Sequence, residues 1–197
     1  PSKVFDDDFY CTQIKVPRND GTNLADFLLT NTLIKTIVID GANRKWIGTE
    51  YEGVYLLSED GMETIHHFTA ENSPLLSNSI SSIAIHPRTG EVFIGTSKGL
   101  ISYQSDATEG GEQLSEDAYA YPNPVKSDYT GVITVTGLVR DTNVKITNTS
   151  GKLIYSGTSV GGQFTWNGRN LQGNKVSSGI YFVLAADKDG KQGIATK

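Results

Sequence analysis

The sequence predicts an all-β protein in two parts that are joined by a short acidic segment. Its 197 residues include 21 glycines, 6 prolines and nine tyrosines, a composition typical of many short strands joined by turns. Apolar residues alternate or run for four to six positions between Gly, Asn and Pro, which indicates strands in hairpins rather than helices. We expect a first domain over 1–105, a linker over 106–118 and a second domain over 119–197.

The first domain contains an internal repeat. Aligning Ile34 with Ile80 gives a period of 80 − 34 = 46 residues, and it places "WIGT" in the first copy opposite "FIGT" in the second. A period of roughly 40 to 50 residues is that of one four-stranded β-propeller blade. The pattern predicts strands near 34–40, 45–49, 53–58 and 63–68 in the first copy, and near 80–86, 91–96 and 99–104 in the second.

The predicted strand count is incomplete at both ends of the repeat. The second copy has no fourth strand, because an acidic, glycine-rich stretch follows it, and residues 8–17 predict an orphan fourth strand of an earlier blade. Two blades cannot close a ring, since propellers typically have about four to eight. We therefore expect a partial propeller of about two blades plus an orphan strand. Further blades of the same protein are expected upstream of Pro1, and the missing strand should come from the far N-terminus of the intact ring.

Four residues of the repeat are expected to set the packing of the blades. Gly48 and Gly95 stand where the lack of a Cβ permits close approach of the backbone. Trp46 and Phe93 are the large apolar side chains that should fill the space between blades.

The repeat resembles a known family. "LLSNSI" (75–80), "FIGT" and the glycine that follows resemble the regulator-propeller repeat, although Phe93 replaces its usual tryptophan. That repeat occurs in the sensor domains of hybrid two-component systems and in other bacterial surface proteins. The resemblance covers residues 8–105 and implies a propeller that serves as a binding platform, for which the exposed loop residue Tyr51 is our candidate ligand contact.

The linker and the second domain differ in composition. The stretch 105–118 carries five acidic side chains and one large aliphatic residue, which is typical of a tether that buries little. About seven short strands are then expected in some 80 residues, which favours an immunoglobulin-like β-sandwich. The candidate core residues of this sandwich are Leu138, Ile146, Ile154, Trp166, Tyr181 and Val183.

Four motifs in order make the second domain resemble the type A sorting domain of the type IX secretion system. They are the "YPNP" entry, the hairpin "VKITNTSGKLI", "WNGRNLQG" and "SSGIYF". The positions that match the family motif are Tyr121, Pro122, Asn123, Pro124, Trp166, Gly168, Gly173, Gly179 and Tyr181. The chain departs from the family at its end, where "GIATK" replaces a longer apolar strand.

The two resemblances in this order are those of a surface component of the type IX secretion machinery. They imply a location at the cell surface or outer membrane of a Gram-negative bacterium, with the periplasm crossed in transit. They also imply type IX secretion components, or a surface glycan or lipopolysaccharide, as partners.

The sequence predicts no catalytic residues, no metal ligands and no cofactor. His66 and His67 are adjacent, so in a strand they point to opposite faces and do not share a metal easily. His86 precedes a proline at a strand end and is interpreted as a turn residue, and Cys11 is interpreted as a small core residue. We expect a protein that is not an enzyme.

Charge and hydropathy exclude two classes of partner. The formal net charge is −5 and the lysines are dispersed, so no basic stripe is available for nucleic acid. No apolar run approaches the roughly 18 residues that a membrane-spanning helix requires, so membrane insertion is not expected.

Three functional hypotheses follow from these observations. The first is a non-enzymatic surface or secretion-complex protein, whose propeller binds a ligand and whose C-terminal domain serves in sorting or docking. The second is the ectodomain of a hybrid two-component sensor, which the repeat alone supports. The third is the tail of a secreted hydrolase whose catalytic domain lies upstream.

Overall fold

The computed structural model describes residues 13–18, 21–114 and 117–196, and their regular structure consists of β-strands. These residues form sixteen strands in five sheets, which confirms the all-β class. Within them, no helix has the length and apolar character needed to cross a membrane.

A short hairpin precedes the blades. Strand β1 (Lys15–Pro17) pairs antiparallel with β2 (Ala25–Phe27), and an ion pair joins Arg18 to Asp26. The strand expected over 8–17 therefore has a partner, which the sequence pattern missed because the three residues of β2 are all exposed and show no alternation. Residues 8–12, including Cys11, lie outside the described part of the chain.

Two antiparallel sheets correspond to the two copies of the repeat. The first follows chain order through β3 (Ile34–Ile39), β4 (Lys45–Thr49), β5 (Val54–Leu57) and β6 (Thr64–Phe68). The second consists of β7 (Ile80–Ile85), β8 (Glu91–Thr96) and β9 (Gly99–Gln104), and no fourth strand joins it among the described residues. The partial propeller of about two blades is confirmed, and each strand lies within two residues of its predicted limits.

A shared core holds the two blades together. Trp46 is fully buried, its ring stacks on Phe68 at 6.1 Å between centroids, and Tyr103 of the second blade lies 5.8 Å away. A Cβ added at Gly48 would lie 2.6 Å from Cγ2 of Ile80 in the second blade. Strand β7 therefore crosses the first blade at a distance that only glycine permits, as the repeat pattern predicted.

Phe93 lies outside the core that the two described blades share, so its expected packing against a further blade stays a prediction. Its neighbours Val92 and Ile94 are buried in the shared core. Since side chains alternate along a strand, Phe93 lies on the opposite face of the second sheet, where it is half-buried. The alignment of Phe93 with Trp46 is correct, but each ring faces a different neighbour.

The second domain is a sandwich of two sheets, as expected. One sheet has the order β10 (Tyr119–Tyr121), β11 (Ile133–Thr136), β14 (Gln163–Trp166). The other has the order β13 (Leu153–Thr158), β12 (Asn143–Asn148), β15 (Tyr181–Ala186), β16 (Gly193–Thr196).

The core of the sandwich contains the residues that the sequence predicted. Four of them are buried and two pack against the buried set at partial exposure; in that order they are Leu138, Ile146, Trp166 and Val183, then Ile154 and Tyr181.

The linker is not a loose tether at its N-terminal end, which corrects the interpretation of its composition. Ala107 is completely buried and Thr108 is 5 % exposed, while the acidic side chain of Asp106 remains 56 % exposed. Thr108 also forms a parallel β-bridge with Gly161 of the sandwich. A count of large aliphatic residues overlooked this burial because small side chains fit between closely spaced backbones.

Replacing Ile146 by Ala tests the core of the second domain. Ile146 is 1 % exposed, so the substitution should lower the free energy of unfolding by about 2–5 kcal/mol through lost apolar contacts and a cavity. Urea unfolding followed by circular dichroism measures the change. Leu171→Ala is the control, because Leu171 is 53 % exposed and should change stability by less than about 0.5 kcal/mol. Equal losses in the two variants would contradict this packing.

Candidate functional site

The "YPNP" motif lies at the entry to the sandwich. Tyr121 ends strand β10, and Pro122 to Pro124 lead the chain away from the sheet, with cis peptide bonds at Tyr121–Pro122 and Asn123–Pro124. Tyr119 and Tyr121 are exposed on the same face of β10, with ring centroids 5.9 Å apart. The motif therefore fixes the start of the domain, and it leaves two tyrosines at the surface.

Trp166 and Tyr181 form the structural centre of the second half of the motif. The buried Trp166 ring meets Tyr181 edge-on at 5.6 Å, and its indole N–H donates to the carbonyl of Arg169 at 2.7 Å. The hydroxyl of Tyr181 donates to the carbonyl of Ser177 at 2.7 Å. These two aromatic residues therefore hold the 167–180 loop against the core.

The motif glycines lie in that loop. Gly168 and Gly173 have positive φ values of 71° and 81°, which favour glycine, whereas Gly179 does not. Around them, the side chain of Asn170 accepts hydrogen bonds from the backbone N–H groups of Gln172 and Asn174. The matched motif positions thus build a turn and a core rather than a cluster of reactive groups.

A buried charged network lies where the first blade meets the linker. Arg44, whose side chain is 9 % exposed, donates from Nε to Asp40 at 2.8 Å and from one terminal nitrogen to Asp106 at 2.8 Å. It also donates to the hydroxyl of Ser105 at 3.1 Å. Asp40 in turn accepts the indole N–H of Trp46 at 3.1 Å. The sequence patterns do not single out Arg44; its only signal is that the first repeat has Asp40 and Arg44 at the ends of the turn where the second has His86 and Glu91.

Burial and charge oppose each other at Arg44. Desolvation by burial acts to lower the pKa of its guanidinium, but hydrogen bonds and charge from Asp106 and Asp40 raise the pKa above its ordinary value. Arg44 therefore stays charged, and its guanidinium is paired with the carboxylates of Asp40 and Asp106.

The candidate ligand contact Tyr51 lies at an exposed tip between β4 and β5. Its side chain is 71 % exposed. Next to it, the carboxylate of Glu52 accepts hydrogen bonds from Thr32 and from the hydroxyl of Tyr55 at 2.8 Å. Partial burial and this carboxylate raise the pKa of Tyr55 to about 12, so the phenol stays neutral. The tip thus presents one free aromatic ring beside an ordered carboxylate.

The three histidines do not meet in the structure. His67 stacks on Tyr55 with ring centroids 3.9 Å apart, whereas His66 lies on the other face of β6 near Phe68. His86 begins the turn between β7 and β8, where its Nδ1 accepts the backbone N–H of Thr89. Within the described ranges, no group of three or more His, Cys, Asp or Glu residues is arranged to hold a metal ion.

Two concave regions were found on the described surface. One, of about 80 Å³, lies between the blades and the linker and is lined by Val38, Ile85 and Thr108. This volume is well below the roughly 300–1,000 Å³ of a typical small-molecule site. The other is an open groove of about 840 Å³ along β12, β15 and β16, whose lining includes Lys145, Leu184 and Lys188. An open sheet face of this kind suits a macromolecule better than a small substrate.

The second domain is similar in sequence to a known family. Residues 119–194 match the family described as Secretion system C-terminal sorting domain. This match covers the whole of the motif derived above and every strand of the sandwich except the last two residues of β16. The domain that follows the two propeller blades is therefore similar to a C-terminal sorting domain.

The chain as a whole is similar to PorZ, an essential bacterial surface component of the type IX secretion system of Porphyromonas gingivalis. The identity is 36 % and the TM-score is 0.60, and the match covers 94 % of this chain and 24 % of PorZ. The chain thus spans about a quarter of the length of PorZ.

Other comparisons are weaker. The extracellular domain of the putative hybrid two component system BT3049 from B. thetaiotaomicron is 20 % identical, with a TM-score of 0.34 and coverage of 86 % of this chain and 22 % of that one. That degree of likeness is too low to support the sensor hypothesis. No curated protein matches the chain.

Trp166→Phe tests the structural role of the sorting-domain motif. The change removes the hydrogen bond to Arg169 and part of the buried ring, so we expect a loss of about 2 kcal/mol in the free energy of unfolding. Tyr181→Phe removes only the hydroxyl that bonds to Ser177 and should cost about 1 kcal/mol. Both values come from denaturant unfolding. A Trp166→Phe variant as stable as the parent would show that the motif is not part of the core.

Proposed function

We propose that this chain is part of a non-enzymatic surface protein of the type IX secretion system, in which the propeller is a binding platform and the C-terminal domain serves in sorting or docking. One observation carries the proposal: a sorting domain over 119–194 follows propeller blades in a chain that is 36 % identical to PorZ across 94 % of its length. The proposed location is the cell surface or outer membrane of a Gram-negative bacterium.

The absence of an active site is part of this proposal. The polar groups at the centre of the structure, Asp40, Arg44 and Gln163, are all engaged in hydrogen bonds within the chain. Among the described residues, no buried side-chain nitrogen or oxygen lacks a partner. A network satisfied in this way is typical of a structural role, which supports the proposal that the protein is not an enzyme.

The proposed partners include further blades of the same protein. Strand β9 is at the edge of its sheet, and Leu100 on it is 68 % exposed. In the first blade, Ile37 and Ile39 are 56 % and 58 % exposed. Apolar faces and free sheet edges of this kind are normally covered by neighbouring blades. The short length of this chain relative to PorZ is consistent with blades that precede it.

The proposed external partners are type IX secretion components or a surface glycan such as lipopolysaccharide. Tyr51 is the proposed contact for a glycan, because a free phenol ring can stack on the C–H face of a sugar while hydroxyl and carboxylate groups bond to its oxygens. Glu52 supplies such a carboxylate beside it.

Location in the cell tests the secretion function. The full-length protein and a variant without residues 119–197 are expressed in a bacterium that has type IX secretion, and surface labelling of whole cells measures exposure. We expect the variant to lose surface labelling, and the full-length protein to lose it in a strain without the secretion system. Leu171→Ala should keep normal labelling, because it changes only an exposed side chain of the same domain. Unchanged labelling of the deletion variant would overturn the proposed role.

Tyr51→Ala tests the glycan contact. The variant should bind purified lipopolysaccharide about tenfold more weakly, since stacking on an aromatic ring contributes up to about 1.5 kcal/mol. Binding is measured by calorimetry with the full-length protein. Tyr119→Ala is a matched control, because Tyr119 is 57 % exposed on the other domain. Equal affinity of the Tyr51→Ala variant and the parent would exclude Tyr51 from the site.

A further inference from the structure

The first blade and the C-terminal domain share one continuous hydrogen-bond network, which is buried except at the side chain of Asp106. It begins at Trp46 in the core between the blades, whose indole N–H donates to Asp40. Asp40 also accepts Nε of Arg44, and Arg44 reaches the carboxylate of Asp106 at the start of the linker. The backbone carbonyl of Asp106 then accepts the side-chain amide of Gln163, in strand β14 of the sandwich, at 2.6 Å.

Close backbone contacts surround this network. The N–H of Gly162 donates to the carbonyl of Thr108 at 2.9 Å, and Gly161 forms the parallel bridge to the same residue. A Cβ on Gly162 would overlap the carbonyl of Glu109, and a Cβ on Gly41 in the first blade would overlap the carbonyl of Thr108. The linker backbone is therefore held between glycines of both domains.

The members of this network depend on one another. Gln163 is 6 % exposed and Asp40 is 6 % exposed, so neither can exchange its partner for water without local opening. Loss of one member of a buried charged pair leaves the other desolvated and unpaired, which is strongly unfavourable. Arginine suits the central position because its planar fork donates to Asp40 and Asp106 at the same time.

We propose that the network formed by Trp46, Asp40, Arg44, Asp106 and Gln163 makes the folded first blade an intramolecular docking surface for the C-terminal domain. The packing of the blades and the docking of the C-terminal domain are then coupled. The first blade must be correctly packed to bind the domain and its linker. Energetic coupling can be carried by chains of packed side chains and hydrogen bonds, and this network is such a chain. The inference goes beyond the proposed function, and it holds whether or not the domain acts in secretion.

Two kinds of change separate coupling from simple local damage. Gln163→Ala removes a contact on the sandwich side, and Thr165→Ala is its control because Thr165 is an exposed residue of the same strand. Trp46→Phe removes the indole N–H that Asp40 accepts and keeps an aromatic ring in the blade core. Arg44→Lys keeps the charge but loses the fork that joins two carboxylates.

The measurement is limited proteolysis of the whole chain with a glutamyl endopeptidase. Glu109 and Glu112 lie in the linker, while Glu71 and Glu91 report on the blades. When opening is fast relative to cleavage, the cleavage rate follows the population of the open form. We expect Gln163→Ala to raise linker cleavage about fivefold, as for the loss of one hydrogen bond, and Thr165→Ala to leave it within about twofold.

The decisive comparison is linker cleavage in the Trp46→Phe variant. We expect it to rise about fivefold while cleavage at Glu71 and Glu91 stays low, and the double variant with Gln163→Ala should show less than the product of the two effects. If Trp46→Phe also exposes the blade sites, Arg44→Lys takes its place with the same expected result. Parental linker cleavage in the blade variant, or a double variant whose effects simply multiply, would overturn the coupling.

Discussion

The structure around the junction depends on the ion pair between Asp40 and Arg44. Asp40 is almost completely removed from water, and its two oxygens accept hydrogen bonds from the backbone N–H groups of Ala42 and Arg44, from the Arg44 side chain and from Trp46. A carboxylate in such a place is stable only when charge and hydrogen bonds compensate for the loss of hydration. Arg44 supplies that charge, and the same guanidinium then organises the linker. One set of groups thus supplies hydrogen-bond partners in the turn between β3 and β4, in the blade core and at the junction.

Much of the architecture could be predicted from residue patterns because its determinants are local. The strands of both repeats are short apolar runs between turn residues, and the limits of β4, 45–49, agree with the sequence prediction. Trp166 and Ile146 are predicted as core residues of the sandwich, and both are buried. Gly48 is predicted as a close-approach position because a glycine inside a strand lacks a Cβ, and Ile80 lies within contact distance of it.

The junction could not be predicted because its contacts join residues that are far apart in the chain. Arg44 appears as an ordinary turn residue, and Gln163 as an ordinary strand residue, until the fold brings the backbone of Asp106 between them. The burial of Ala107 could not be predicted from composition either, because alanine is only weakly apolar and occurs both at the surface and against packed backbone. The alternation of β8 is visible in the sequence, but the sequence does not show that Val92 and Ile94, rather than Phe93, face the first blade.

The contact between Gly48 and Ile80 has a consequence for how such a chain can change. A Cβ on the glycine of the first repeat would overlap Ile80 of the second blade as well as Thr36 of its own sheet, so the packing at this position depends on both blades. The smallest unit that can be exchanged without loss of packing is therefore the contact between two neighbouring blades, here called the seam. A single blade is not such a unit. Gain or loss of a unit preserves packing only when a glycine and the isoleucine that crosses it are inherited together. A propeller of this type should accordingly grow by duplication of segments that begin and end inside sheets, leaving each seam intact.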